Sequence, residues 1–298
     1  MTYQEAYQKA TGELKAAGIP EPESDAWILL EHVTGMTRTR YYVDGFERMP
    51  KNEEDRFFEL VSCRKTRIPV QHLTGVQEFM GYEFAVNEHV LVPRQDTEIL
   101  VEEAEKRLLL MKKENPVKVL DMCTGSGCIL LSLLLELPQA LGTGVDVSEG
   151  ALCVAKENRK RLGLEQRAEL IQSDLFSADY FRKNSGNDHM EYDMLISNPP
   201  YIRTEDIEGP MEEVRFHDPV LALDGKENGL YFYEKITEQA GTYLKPGGWL
   251  MYEIGCDQGM DVSEIMKKNG FEQIEIKKDL AGLDRVVTGR KMQEEQNV

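Results

Sequence analysis

Leu195-Ile196-Ser197-Asn198-Pro199-Pro200-Tyr201 is the stretch on which the fold turns. Asp193 to Ile196 reads as a short buried strand ended by a rigid turn, which puts Asn198 where a parallel strand stops and ligands collect. The two prolines supply no N–H, fix φ and leave carbonyls facing outward, while Asn198 offers an amide oxygen and Tyr201 a flat ring. The group suits a planar amino or amide nitrogen. Such a nitrogen has a delocalised lone pair, and no side chain deprotonates it at neutral pH, so a site for it works by positioning. With the Asn198 oxygen and the Pro199 carbonyl each accepting one N–H, the nitrogen is held in line with an electrophilic carbon while Tyr201 stacks on the planar group. Taken alone, the same residues also describe an ordinary tight turn after a strand.

On either side of this stretch, strands alternate with helices. Val117 to Leu120 reads as a strand, Ile129 to Leu135 as a helix, Leu141 to Val145 as a strand and Ser148 to Leu162 as a helix. Strands follow at Ala168 to Ile171 and Met194 to Ile196, then a helix over Asn228 to Tyr243, a strand over Trp249 to Ile254 and a helix over Val262 to Lys268. Two last strands are expected near Ile274 and Val286. The alternation predicts an α/β fold with a mainly parallel, doubly wound, Rossmann-like sheet of seven strands. Lys112-Lys113-Glu114 and Ser185-Gly186-Asn187-Asp188 read as polar breaks, and Gln293 to Val298 as a fraying end.

The first 75 residues have another texture. Tyr3, Ala6, Tyr7, Ala10 and Leu14 recur at helical spacing, Ser24 is placed to cap a second helix through Trp27 and Leu30, and a third runs through Phe57, Leu60 and Val61 toward Arg67. These predict a small helical bundle over residues 1–75, read equally as a structural appendage or as a surface for substrate recognition. Residues 76–92 alternate around Gly81 as a β-hairpin linker, and residues 93–298 form the α/β domain, opened by a helix capped at Asp96 or Thr97.

A net charge of −18 argues against broad attraction to a phosphate backbone, which needs clustered Lys and Arg. The first residues are polar and amphipathic, and no run approaches membrane-spanning length. Five cysteines without a Cys-x-x-Cys pair and five scattered histidines resemble neither a disulfide framework nor a metal centre. A reducing cytoplasmic location and no metal are the expectations.

The first α/β strand runs into Asp121-Met122-Cys123-Thr124-Gly125-Ser126-Gly127, a small-residue turn that lets backbone approach a ligand closely. Asp146, followed by Val147, ends the second strand at the distance expected of an acid that grips ribose hydroxyls, and Asp174, followed by Leu175, ends the third. Three acidic strand ends suit a nucleoside with a cationic tail better than one with a pyrophosphate, and Leu130 occupies the place of the third dinucleotide-binding glycine. Together with the Asn-Pro-Pro-Tyr turn they point to S-adenosylmethionine and to methylation of a nitrogen.

Adenine-N6 DNA methyltransferases and protein-glutamine-N5 methyltransferases share that turn, and the turn does not separate them. A DNA enzyme normally adds a target-recognition region and a basic groove, neither evident here. Much of the chain resembles the bacterial release factor glutamine methyltransferases. The likeness is carried by Ile68-Pro69-Val70-Gln71-His72-Leu73-Thr74-Gly75, Glu78-Phe79, Val92-Pro93-Arg94-Gln95-Asp96-Thr97-Glu98, Asp121 to Gly127, Asp193 to Ile202, Asp218-Pro219, Gly229-Leu230 and Glu253-Ile254-Gly255 with Gln258. The resemblance implies in-line transfer of a methyl group from S-adenosylmethionine to the glutamine of the Gly-Gly-Gln motif in class-1 peptide chain release factors. The partner is thus a protein, with no membrane or direct nucleic-acid partner expected; another translation protein's glutamine stays open as substrate.

Carried onto this chain, the resemblance implies cofactor contacts at Asp121, Cys123, Thr124, Gly125, Ser126, Gly127, Asp146, Val147, Asp174, Leu175 and Asn198. Arg94 and Glu98 are placed near the cofactor's methionine end, and Asn198, Pro199, Pro200 and Tyr201 around the glutamine. Cys123 replaces the family's commoner Gly, tolerable where the backbone avoids positive φ; Asp218 stands where Glu is frequent, and Leu175 offers adenine an aliphatic surface.

Overall fold

The computed structural model describes residues 1–111, 116–183, 191–207 and 218–293, so the breaks read at Lys112-Lys113-Glu114 and Ser185 to Asp188 and the end beyond Gln293 lie outside the described residues. Chain contacts separate one compact unit, residues 1–76, from a second that begins at Gln77, the boundary falling after the first residue of the strand Val76–Phe79.

The first unit is helical: Tyr3–Ala16, Pro22–Thr34, Arg38–Asp44, Lys51–Lys65 and Val70–Thr74. Thr2 and Glu5 cap the first helix reciprocally. The second starts at Pro22, ahead of the expected Ser24 cap, and has no side-chain cap; proline at its first turn leaves one fewer N–H to satisfy. Ala6, Leu14, Leu30, Phe57 and Val61 form the core of this unit, and Arg64 pairs with Asp25 at 2.6 Å inside it.

In the second unit, β1 (Val76–Phe79) and β2 (Tyr82–Ala85) form the expected hairpin. Its turn residues Met80 and Gly81 both take positive φ, 54° and 75°, as a tight two-residue hairpin turn requires. The strand pattern read as far as Val92 stops at Ala85; Val86 and Val90 instead pack with Ala151 and Val154.

The central sheet has seven strands: β3 (Lys118–Met122), β4 (Leu141–Asp146), β5 (Ala168–Gln172), β6 (Tyr192–Ser197), β7 (Leu244–Glu253), β8 (Phe271–Lys278) and β9 (Asp284–Lys291). Their order is β5-β4-β3-β6-β7-β9-β8; β9 alone pairs antiparallel to its neighbours. Runs buried on both faces, such as Tyr192 to Ser197, are what a covered parallel strand demands. One face carries the helices Glu98–Leu110 and Cys128–Glu136; the second of these is buried at every position from Cys128 to Leu134, which explains its apolar surface all round. Close packing there needs a glycine in β4, because a Cβ at Gly142 would meet Leu130 at 2.5 Å. The other face is covered by Tyr231–Tyr243 and Gly259–Lys268 through Tyr233, Ile236, Ala240, Val262 and Met266.

The chain leaves β3 in one direction to β4 and β5, then returns to β6 on its other side. The strand order therefore reverses between β3 and β6, where an α/β sheet opens a crevice at its carboxyl edge.

Candidate active site

Register sets Met122 of β3 opposite Ser197 of β6, so the turns beginning at Cys123 and Asn198 emerge side by side. The first is tied to β4 by backbone: Thr124 N–H donates to the Val145 carbonyl at 2.9 Å and Gly127 N–H to the Thr124 carbonyl at 2.8 Å. Asp146 closes it, one carboxylate oxygen accepting from Gly125 N–H and the other from Ser148 N–H, both at 2.9 Å. Burial raises the Asp146 carboxyl above its ordinary range, and the N–H groups of Ser148, Gly125 and Val147 draw it back. Each oxygen retains a lone pair for a ligand hydroxyl.

Cys123 holds φ at 62°, and Leu175, in the turn after β5, holds 49°. The condition under which Cys123 replaces Gly without strain, a backbone free of positive φ, is thus not met. The β3 turn needs a left-handed residue there, and a non-glycine in that region stores strain of the sort concentrated at ligand sites. Burial pushes the Cys123 thiol well up, so it stays neutral.

A cavity of about 1000 Å³, part of it open to solvent, lies over these turns. Of the residues singled out by sequence, Arg94, Cys123, Thr124, Gly125, Ser126, Asp146, Val147, Asp174, Leu175, Asn198 and Pro200 line it together. A Cβ at Gly125 would meet nothing, since that position opens into space. Ile129, Val145 and Phe232 add apolar wall and Ser148 and Ser173 polar wall, a balance suited to a nucleoside. Acidic groups at two strand ends, left-handed backbone at Cys123 and Leu175 and an amide on the neighbouring turn fit S-adenosylmethionine.

Five singled-out residues do not line the cavity. Asp121 is fully buried behind the turn, accepting from the Thr124 hydroxyl at 2.5 Å, and burial pushes its carboxyl to about 7. Gly127, at φ 80°, faces Leu131 of the helix after it and Ala155, where a Cβ would be tight at 3.1 and 3.4 Å. Glu98 accepts from Met80 N–H at 2.7 Å and fixes the hairpin turn. Pro199 is buried, and Tyr201 packs against the apolar layer around Tyr233 and Tyr252. Burial, with Glu253 nearby, raises the Tyr201 phenol to about 12.

The turn after β6 is braced from outside. Gln258 donates to the carbonyls of Tyr201 at 3.1 Å and Gly229 at 3.2 Å while its own oxygen accepts from Gly255 N–H at 2.9 Å. At the cavity mouth Arg94 pairs with the buried Asp218 at 3.1 Å. Sequence reasoning missed Asn158, whose amide donates to the carbonyls of Ala85 and Ser126, both at 3.0 Å, and accepts from Ala85 N–H at 2.6 Å, tying the hairpin to the turn after β3. The available signal was a polar residue on the apolar face formed by Ala151, Leu152, Val154 and Ala155. Thr97 and Glu253 were also missed as site residues; Thr97 lines the cavity, and Glu253 stands behind Asn198.

Residues 5–75 match the family model described as PrmC N-terminal domain, and residues 95–214 the one described as Methyltransferase small domain. The chain is 38% identical over 287 residues to the release factor glutamine methyltransferase of Clostridium acetobutylicum, covering 96% of this chain and 98% of that one. It is 38% identical over 291 residues to that of Caulobacter vibrioides, covering 98% and 97%. Among solved structures, the hMettl16 catalytic domain superposes with a TM-score of 0.55 at 14% identity, covering 78% of this chain and 82% of that one, a likeness of fold.

Proposed function

Because the chain belongs to the release factor glutamine methyltransferases and is an S-adenosylmethionine-dependent protein-glutamine methyltransferase, we propose that its acceptor is the glutamine of the Gly-Gly-Gln motif in class-1 peptide chain release factors, methylated at the side-chain N5. The observation that carries the reading is that Asn198 and Pro200 line the same cavity as Cys123 to Ser126, Asp146 and Asp174.

When bound, the cofactor supplies a methyl group already activated by a sulfonium. Cys123 to Ser126 offer backbone close to it, Asp146 its remaining lone pairs to the ribose, and Val147 and Leu175 apolar surface to the adenine. Arg94 and Asp174 flank the remaining wall. The Asn198 side-chain oxygen accepts one N–H of the glutamine amide and the Pro199 carbonyl the other, which fixes the nitrogen's orientation without a base. Tyr201, half-buried against the layer around Tyr233 and Tyr252, holds the turn's far end.

The helical unit, residues 1–75, recognises the release factor in this reading. The exposed Tyr42, Val43 and Phe46 support a contact role, as three large apolar side chains within five residues are rarely left to solvent without one. The excess acidic charge, −18, complements a partner with basic patches and disfavours DNA.

Incubating the enzyme with labelled cofactor, purified release factor and plasmid DNA, then mapping the label by mass spectrometry, tests this. The expected product is a single methylated glutamine in the Gly-Gly-Gln peptide. Label on adenine, or on a glutamine of another translation protein only, would replace the reading.

A further inference from the structure

Glu253 ends β7 beside the acceptor turn: Ser197 pairs with Tyr252, which sets Glu253 next to Asn198 across the strands. The residue is 3% exposed. Its carboxyl lies close to Thr97 and Asn198, and its Oε2 is buried without a hydrogen-bond partner among the described residues. Desolvation dominates its surroundings and raises the carboxyl to about 7. A buried acid with an open oxygen is costly, and packing alone does not call for it, since an apolar side chain of similar volume would fill the place at less expense.

The two ends of a carboxamide have the same shape, so its orientation is set by the hydrogen-bonding character of its neighbours. A carboxylate only accepts. Next to Asn198 it takes an amide N–H and leaves the amide oxygen to face elsewhere. We infer that Glu253 is a positioning residue for methyl transfer, which accepts from the Asn198 side-chain nitrogen and thereby turns the Asn198 oxygen toward the cavity, ready for the acceptor's N–H. The inference rests on the role given to Asn198 in the proposed function.

Protonation converts Glu253 into a donor as well, and the enforced orientation of Asn198 is lost. The groups that face this carboxyl are Arg285 from β9, Asp96 beside Thr97, Tyr201 after β6, Tyr233 from the helix Tyr231–Tyr243, and Cys128 at the start of its helix. Of these, the tyrosines and the cysteine are held neutral by burial, so Glu253 itself supplies the titration near neutrality.

The test measures kcat and KM with purified release factor, and calorimetric Kd for S-adenosylmethionine, between about pH 6 and about pH 9. The proteins are wild type, Glu253→Gln, Glu253→Asp and Asn198→Ala. Glu253→Gln is expected to lower kcat about 10²-fold with the cofactor Kd within about threefold, and to abolish the acid limb of the wild-type profile. Glu253→Asp, which keeps an acceptor-only group, should recover part of kcat. A Glu253→Gln enzyme with kcat within about threefold of wild type overturns the inference, as does a loss seen equally in cofactor Kd. Should Glu253→Gln fail to fold, an Asp variant retaining neither activity nor an acid limb overturns it instead. A wild type that labels no release-factor glutamine sinks the proposed function; one that does, alongside a fully active Glu253→Gln, sinks only the role of Glu253.

Discussion

The turns after β3 and β6 lie side by side at one sheet edge and are built by opposite means. After β3, Cys123, Gly125 and Gly127 all take positive φ, 62°, 56° and 80°, and the loop is held by its own N–H groups bonding to neighbouring strand ends. After β6, none of Asn198 to Tyr201 takes a positive φ; two proline rings set the path, and Gln258 braces the end from another element. The first turn brings backbone to a ligand and the second presents one amide side chain. Behind each sits a buried carboxyl pushed to about 7, Asp121 and Glu253, each with one oxygen lacking a partner among the described residues. Side-chain chemistry should therefore be concentrated in the second turn, and stability costs shared by both.

The largest effect expected is at Asn198. Removing its amide with Asn198→Ala should cut methyl transfer by about 10³-fold, about 4 kcal/mol of transition-state stabilisation, while the cofactor Kd changes by less than about threefold. Calorimetry beside a transfer assay reads both. Retained turnover would erase the distinction, leaving the β6 turn as backbone scaffold like its neighbour.

Asp121 comes next, and its effect is on stability. The folded protein keeps a proton on this carboxyl up to about 7, whereas the unfolded chain releases it near 3.8. Between those values the native state binds more protons, so this group's contribution to stability falls as pH rises, and reaches its full penalty above about 7. At 1.36 kcal/mol per unit the ceiling is about 4 kcal/mol. Asp121→Asn should then gain stability over wild type at pH near 8 and lose that advantage below about 4, measured by chemical denaturation at both. A gap that does not widen with pH would mean that the buried carboxyl titrates normally.

Asp146→Ala should weaken cofactor binding by about 1 to 3 kcal/mol, the loss of a charge-assisted hydrogen bond, roughly a 5- to 150-fold rise in Kd. The carboxylate is also the clasp of the β3 turn through Gly125 N–H. An unchanged Kd would move the ribose contact away from the turn built of backbone.

All seven strands of the sheet were legible in the sequence: the inner parallel strands, covered on both faces, read as apolar runs between helices, and the last two, β8 and β9, as shorter runs around Ile274 and Val286. The start of β7 was not, since Pro246 and Gly247 look like a breaker; the strand bulges across them, from the pair Tyr192–Leu244 to the pair Met194–Trp249. The helix Arg38–Asp44 escaped notice because none of its residues is buried, so its sequence carries no apolar period. At the site, Cys123 to Ser126, Asp146 and Asn198 announced themselves through local chemistry at strand ends. Asn158, Thr97 and Glu253 did not, because each draws its meaning from a partner far along the chain, as with Asn158 and Ala85, 73 residues apart. Tyr201 illustrates the reverse: its type suggested a stacking ring, and only packing reveals that the half-buried residue also rests against the layer around Tyr233 and Tyr252.

The smallest expected effect bears most directly on how the β3 turn is built. An L-residue held in the left-handed region costs about 1–2 kcal/mol, and Cys123 sits there at φ 62°. Replacement by glycine removes that strain but adds conformational freedom to the unfolded chain, which takes back about 0.5–1 kcal/mol. The neutral thiol contributes no charge, though it packs beside the layer around Tyr252. Cys123→Gly should therefore raise stability by about 0.5 kcal/mol, a shift of about 1–2 °C in Tm. Should Tm instead fall, the thiol's packing outweighs the backbone strain. The turn after β3 would then owe its shape to a side chain after all, and its contrast with the turn after β6 would narrow to the two prolines.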